Sequence, residues 1–362
     1  MAATSSFELG VYSFGNTPEV AGASGSPTAQ AIRNALEAVR LAEEVGLDFF
    51  GLGEHHTPSM PLSAPTSLVN AAAASTSRIK LGTAVSVLST DDPIRIYQQM
   101  ATAAAIAPGR IEVVAGRGSS AITFPLFDFE ERDYDMLFQS KLNLLMAVND
   151  RERVTWNGPH RRRPLANALV VPRPDQPLRL WLGSGGSPAS MQRAAELGLP
   201  LFLGILGGSP QHWARYGGAY REAWAQAGHP QHAAAIAVAV HGFVGEDDRA
   251  AKATYLRHEG EMFRTVSAEM GRTLGSAGRE RDYGQDGMVF AGGVNELAER
   301  ILRLREMMGH SRQILQMDVG AMPHATYLKA IELLGTRVMP QVREAPDGRA
   351  RQVSKPTIHL PE

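Results

Sequence analysis

The sequence contains no cysteine. Disulfides, thiol nucleophiles and thiolate-bound metals are therefore excluded. An excess of charge is missing too: 36 Lys and Arg stand against 37 Asp and Glu, a formal net charge of −1. No basic surface points to nucleic acid or to anionic lipid. Long apolar runs are absent, since none approaches the roughly 18–20 residues that span a bilayer. The opening MAATSSFELGVYSF has no basic stretch followed by an apolar core, so no secretory leader is read there. With no obvious internal repeat either, the expectation is a soluble cytoplasmic protein with neither nucleic acid nor membrane among its partners.

What is present is a strict alternation. Short strand-like runs alternate with helical patterns along all 362 residues, the sign of parallel β/α architecture. Strands are expected at 7–12, 48–52, 79–85, 111–115, 178–182, 199–204, 235–244 and 313–319. Gly46 fits the end of the first helix, and Pro93 opens the third behind the cap candidates Asp91 and Asp92. An Arg- and Pro-rich excursion at 151–177 lengthens the connection after strand four. A helix over 247–270 and a Gly- and Arg-rich segment at 271–287 lengthen the one after strand seven. The predicted fold class is α/β, a (β/α)₈ TIM barrel formed by residues 1–344 as a single domain, with insertions after strands four and seven. Residues 345–362 form a flexible or partner-contacting tail. A doubly wound open sheet is the rival, but it seldom needs eight strictly alternating units. In a barrel, function belongs on the loops that follow the strands.

Three such loops carry residues suited to chemistry. Between strand five and its helix lies Gly183-Ser184-Gly185-Gly186-Ser187-Pro188-Ala189-Ser190. Ser187 fits the N-cap and Pro188 the first helical position, so the free N–H groups of the first turn suit an anion. Ser190 adds a hydroxyl one turn in. A well-capped βα turn with no ligand has the same signature, and neither a dinucleotide fingerprint nor a Walker loop is present. After strand four, Arg117 sits between Gly116 and Gly118, suited either to a phosphate or to a neighbouring carboxylate. After strand two come Gly53-Glu54-His55-His56. Neighbouring side chains on an extended segment point opposite ways, so at most one imidazole should face the mouth and exchange protons there. The other reading packs one ring under the loop and leaves the other solvated. Metal binding is not expected, because adjacent histidines chelate poorly and no third ligand is evident. Met307, Met308, Met317 and Met322 are expected in the core.

Taken together, GLDFFGLGEHH (46–56), IKLGTAVSVLSTDDPIRIYQQ (79–99), GRIEVVAGRGS (109–119), PLRLWLGSGGSPASMQRAAELGLPL (177–201) and QMDVGAMPHATYLKAIELLGTRVMPQVR (316–343) resemble the bacterial luciferase-like flavin monooxygenases. The resemblance runs in order over about residues 7–343. It implies a (β/α)₈ barrel, usually dimeric, that uses reduced FMN from a separate reductase or, in one branch, the deazaflavin F420. By position, Arg117, Gly185, Gly186, Ser187 and Ser190 would hold the flavin phosphate. The ring would lie at Ala84, Val85 and Ser86, where the family often has a non-prolyl cis peptide; the matching bond is Ala84–Val85. His55 falls at the catalytic-histidine position, with Glu54 and His56 beside it. Two positions depart from the light-emitting subunit: Gly116 replaces its reactive cysteine and Gly186 the acidic residue of its phosphate loop. Both argue against luminescence.

The resulting expectation is a two-component oxidoreductase, a homodimeric monooxygenase that uses reduced FMN and O₂ to oxygenate a small organic substrate. Alternatives are F420-dependent hydride transfer and a non-catalytic flavin-binding subunit. The segments 121–130 and 271–287 are expected to set substrate choice, with Phe124, Phe127 and Phe129 open to either cavity or core.

Overall fold

Proline opens five of the main helices at the first position, where its missing N–H costs nothing. Ser26, Asp92, Ser209 and Asp247 cap four helices, their side chains accepting first-turn amides. These signals place α1 (Pro27–Glu44), α2 (Pro65–Ser75), α3 (Pro93–Ile106), α4 (Tyr134–Asp150), α5 (Pro188–Glu196), α6 (Pro210–Gln226), α7 (Asp248–Met270), α8 (Val294–Met308) and α9 (His324–Leu333). A computed structural model describes residues 7–18, 26–118, 122–159, 161–271, 273 and 279–345. Ser119 and Ser120 of the strand-four loop, residues 272 and 274–278 of the 271–287 segment, and the expected tail from 346 onward lie outside the described residues.

Between the helices run β1 (Glu8–Ser13), β2 (Phe49–Leu52), β3 (Lys80–Thr83), β4 (Ile111–Gly116), β5 (Arg179–Ser184), β6 (Leu201–Ile205), β7 (Ile236–Gly245) and β8 (Arg312–Gln316). Each pairs in parallel with the next, and β8 pairs with β1, so the sheet closes. This is the expected (β/α)₈ barrel. Buried parallel strands read as apolar runs, which is why the sequence marks them clearly.

Alternation decides what fills the lumen. Tyr12, Phe49, Ala84, Val114, Trp181, Phe202, Ala237, Ala239 and Ile314 form an inner cluster separate from the larger core under the helices. On the same parity, Glu8, Lys80, Glu112, Arg179 and Arg312 stand at the strand starts. Arg312 donates to both Glu112 oxygens at 2.6 and 3.0 Å and to Glu8 at 2.6 Å, and lies 4.1 Å over the Phe49 ring. Trp181 Nε1 donates to Glu112 at 2.8 Å, and Lys80 reaches Glu8 at 2.5 Å. Burial alone would push the Glu112 carboxyl up; Arg312, with Arg179 and Lys80, holds it below its ordinary range. The bottom of the barrel is a closed ionic plug.

The insertions fall after β4 and β7. The first holds a short helix (Thr123–Leu126), α4 and an antiparallel hairpin of 153–156 with 165–169, which the Arg- and Pro-rich composition of 151–177 did not signal. The second holds α7, a helical turn at Arg279–Tyr283 and a strand, Phe290–Gly293, that pairs with the end of β7. The third predicted strand is interrupted: β3 ends at Thr83, and Ser86–Val87 forms a separate pair with β4. Of the four methionines expected in the core, Met307 is 36% exposed, on the solvent side of α8.

Candidate active site

The chain between β3 and Ser86 crosses a cis Ala84–Val85 peptide bond. Beyond it the Val85 side chain spreads over two neighbouring strand ends. A Cβ on Gly116 would lie 2.2 Å from Val85 Cγ2, and one on Gly183 would lie 3.0 Å from Cγ1. Only glycine at position 116 leaves Val85 where it is. By contrast, a Cβ on Gly185 or Gly204 meets nothing within 4 Å. Val85 therefore forms a floor at the β3–β5 side of the mouth, with open backbone beside it.

The β5–α5 turn borders that floor. Ser187 occupies the N-cap in extended conformation, but its hydroxyl makes no capping bond. Pro188 has no N–H, and the Ser190 and Met191 amides donate to the Ser187 carbonyl, both at 3.1 Å, so the Ala189 amide is the first-turn donor left for a ligand among the described residues. One turn in, Ser190 is 1% exposed and its Oγ has no partner among the described residues. A buried hydroxyl left unpaired costs about 1–3 kcal/mol, a deficit that a ligand oxygen can relieve. Gly186 takes φ +101°, and a Cβ there would stand 2.7 Å from the Trp213 ring. An acidic side chain at 186 has no room. Ser184 Oγ accepts from the Gly186 amide at 3.1 Å, and Tyr216 donates to the Ser187 carbonyl at 2.8 Å, fixing the turn.

Arg117 lies near enough to this turn for its charge to act on Tyr216: burial pushes the Tyr216 hydroxyl up, while Ser184 and Arg117 oppose the shift. Its Nη1 bonds Asp135 at 2.9 Å and its guanidinium lies 4.9 Å over the Tyr134 ring. The neighbouring carboxylate is thus the partner Arg117 has in this structure. Asp135 is 71% exposed, and an ion pair with so exposed a carboxylate is worth about 0–1 kcal/mol. A dianion can replace it.

Glu54, His55 and His56 follow β2. Glu54 is buried; Oε1 accepts from His56 Nε2 at 2.9 Å and Oε2 from the Val87 amide at 2.7 Å. It ties the histidine loop to the chain just past Val85. The two rings diverge as an extended segment requires: His55 meets Phe14 edge-on at 5.6 Å and His56 meets Phe127 at 5.3 Å. Burial, reinforced by His56 and opposed by Glu269, pushes the His55 imidazole down to about 4. At neutral pH the imidazole is uncharged, because burial lowers its affinity for a proton. Among the described residues no cluster of three or more His, Asp and Glu is placed to hold a metal ion, and no helix is long and apolar enough to cross a membrane.

A model of the luciferase-like monooxygenases matches residues 11–317. The chain belongs to the luciferase-like monooxygenase family. Solved structures agree on the fold. The monooxygenase RslO1 from Streptomyces bottropensis superposes with a TM-score of 0.79 at 22% identity, over 92% of this chain and 99% of that one. The FMN-bound oxygenating constituent of 3,6-diketocamphane monooxygenase from Pseudomonas putida gives 0.73 at 19% identity, over 93% and 99%. Among curated relatives, an F420-dependent glucose-6-phosphate dehydrogenase from Kineococcus radiotolerans is 33% identical over 40% of this chain and 44% of its own length. The match thus spans less than half of that relative.

Within this luciferase-like barrel, the mouth holds residues that the sequence did not single out. Asp318, two residues past β8, is 7% exposed, accepts from the Ser13 hydroxyl, and has a second oxygen without a partner among the described residues. His241 on β7 bonds buried Glu259 at 2.6 Å, and Glu259 also receives Arg279 and Tyr283. A lone acid at a strand's C-terminal end and a lone histidine inside an apolar strand were the available signals. Their partners come from 18 to 305 positions away, where no local pattern reaches.

Proposed function

We propose that this chain is an FMN-dependent monooxygenase that takes reduced flavin from a separate reductase and uses O₂ to oxygenate a small organic substrate. The observation that carries this reading is the β5–α5 turn. It joins a buried Ser190 hydroxyl without a partner among the described residues, a Ser187 hydroxyl that makes no capping bond and the Ala189 amide, with the charge of Arg117 within reach. That donor set fits a phosphate dianion. The FMN bound to the Pseudomonas relative supports the same choice. In this reading Arg117, Gly185, Gly186, Ser187 and Ser190 hold the phosphate, and Ala84, Val85 and Ser86 lie under the ring. The bound flavin supplies the oxygen-activating redox chemistry. His55, neutral at its site, accepts and returns a proton, while Glu54 holds His56 and the Val87 amide in place. The enzyme works as a cytoplasmic homodimer.

The F420-dependent relative favours a second reading, hydride transfer to or from a deazaflavin, on the same barrel. One titration separates them. The purified protein should bind FMN at least about a hundredfold more tightly than riboflavin, since charge-assisted phosphate bonds are worth roughly 1.5–3 kcal/mol each. Arg117→Ala combined with Ser187→Ala should remove most of the FMN preference and leave riboflavin affinity unchanged. Equal affinities for FMN and riboflavin would sink the phosphate assignment. Tight F420 binding with turnover of F420H₂ and no O₂ uptake would move the chain to the second reading.

A further inference from the structure

Opposite the phosphate turn, a cavity opens at the β8–β1–β2 side of the mouth, walled by α7. Its volume is about 260 Å³, at the small end of ligand sites. Phe14, Met60 and Met262 give it apolar walls. Among the described residues its ionisable lining consists of Glu261, Glu269 and Asp318, with no Lys, Arg or His. Phe14 separates it from His55, the two rings lying 5.6 Å apart. Two of the acids are committed. Glu269 accepts from the Ser59 amide and hydroxyl at 2.9 and 2.5 Å, and Glu261 from Arg264 and Thr265.

Asp318 is not fully used. One oxygen accepts from Ser13 and the other has no partner among the described residues, although the side chain is 7% exposed. A hollow of about 10 Å³ also touches Asp318, and has room for about one water and nothing larger. An organic partner for Asp318 therefore comes from the larger cavity. We propose that this cavity is the substrate chamber and that it takes a small, largely apolar amine whose ammonium group is held by Asp318. The assignment rests on the flavin reading only in naming the ligand a substrate; the binding itself does not require flavin. An apolar body fits the walls, and a cation is the group that a buried carboxylate such as Asp318, with no ion-pair partner among the described residues, selects. Burial pushes the Asp318 carboxyl up to about 7, with the Ser13 hydrogen bond opposing; an incoming ammonium would restore its ionised form. Carboxylates, sulfonates and phosphates meet like charge. The sugar phosphate named for the Kineococcus relative is excluded on the same ground.

The test uses the full chain without flavin and three ligands that share a ring: benzylamine, benzyl alcohol and benzoate. Calorimetry should find benzylamine at least about tenfold tighter than benzyl alcohol, the worth of one charge-assisted bond, and benzoate below detection. Asp318→Asn should weaken benzylamine by about tenfold and change benzyl alcohol by less than about twofold. Thr265→Lys, which puts a cation on the α7 wall, should weaken benzylamine and admit benzoate, and decides the matter if the Asp318 variant does not fold. Benzoate binding as tightly as benzylamine to the unaltered protein, or amine affinity unchanged in the folded variants, overturns the proposal. FMN titrated in a parallel sample keeps the two assignments apart: loss of FMN binding with amine preference intact strikes the flavin reading alone.

Discussion

The two ends of the barrel solve opposite problems with the same strands. At the bottom, Arg312, Glu112, Glu8, Lys80 and Trp181 spend their hydrogen-bonding capacity on one another. At the mouth, Ser86, Ser190 and Asp318 each keep a buried polar atom without a partner among the described residues. Glycines there leave open backbone at 185 and 204, and a tight seat for Val85 at 116. A few unpartnered atoms occur elsewhere, such as His310 Nδ1 beside Phe7 and Gln313 Nε2, but these lie outside the lumen. Charge closed on itself supports folding and has nothing left for a ligand. Polar groups left open weaken the fold slightly and are available to bind. The division matches the general rule that barrel enzymes keep stability below and chemistry above.

The sharpest way to break this comparison is at Glu112. Replacing it with Ala leaves Arg312 buried with only Glu8 as a partner and removes the acceptor of Trp181. Breaking a buried pair from one side costs about 3–5 kcal/mol. Denaturant unfolding of Glu112→Ala should show a loss of that size, with FMN affinity of the folded fraction unchanged. A stable variant with impaired flavin binding would mean that the bottom is part of the site.

Next in size is Gly116. Its virtual Cβ stands 2.2 Å from a Val85 methyl, so Gly116→Ala must push Val85 off the floor. Overpacking of this kind costs about 1–3 kcal/mol. Because the strain is local, Val85→Ala should recover most of the stability in the double variant, and a double-mutant cycle would show strong coupling. Additive losses would mean that the two side chains do not compete for one space. The same clash explains why a cysteine is not accommodated at this position without moving the floor.

These two predictions also mark what the sequence could and could not show. The eight barrel strands were legible to within a few residues, because apolar runs bounded by Gly and Pro are what buried parallel strands require. Helix starts were legible from Asp92-Pro93 and Ser187-Pro188, where local chemistry is self-sufficient. The Phe290–Gly293 strand was missed because four residues with two glycines carry no period; it exists only by pairing with the end of β7. In the site, the glycine turn was visible and its geometry was not. That Trp213 stands against Gly186, or that Val85 lies over Gly116, depends on contacts between distant segments. The ionic plug left a fainter trace: Lys80, Glu112, Arg179 and Arg312 each stand two residues before an inward-facing apolar side chain or glycine. Parity along the strands could have assembled it.

The smallest effect is expected at Ser190, and its smallness is the point. Its hydroxyl is buried at 1% exposure with no partner among the described residues, so the folded protein gains no hydrogen bond from them and bears the cost of desolvating it. Ser190→Ala should therefore leave stability unchanged or raise it by up to about 1 kcal/mol, where most buried polar-to-apolar changes that break a bond do the reverse. With FMN present the sign should invert. Ligand binding adds stability in proportion to the logarithm of free ligand over Kd, so a weaker phosphate contact lowers the melting shift that FMN produces. Thermal melts with and without FMN, on both proteins, read the two terms separately. A variant less stable than its parent without flavin would mean that the hydroxyl already has a structural partner, and the mouth would then differ from the bottom only in degree.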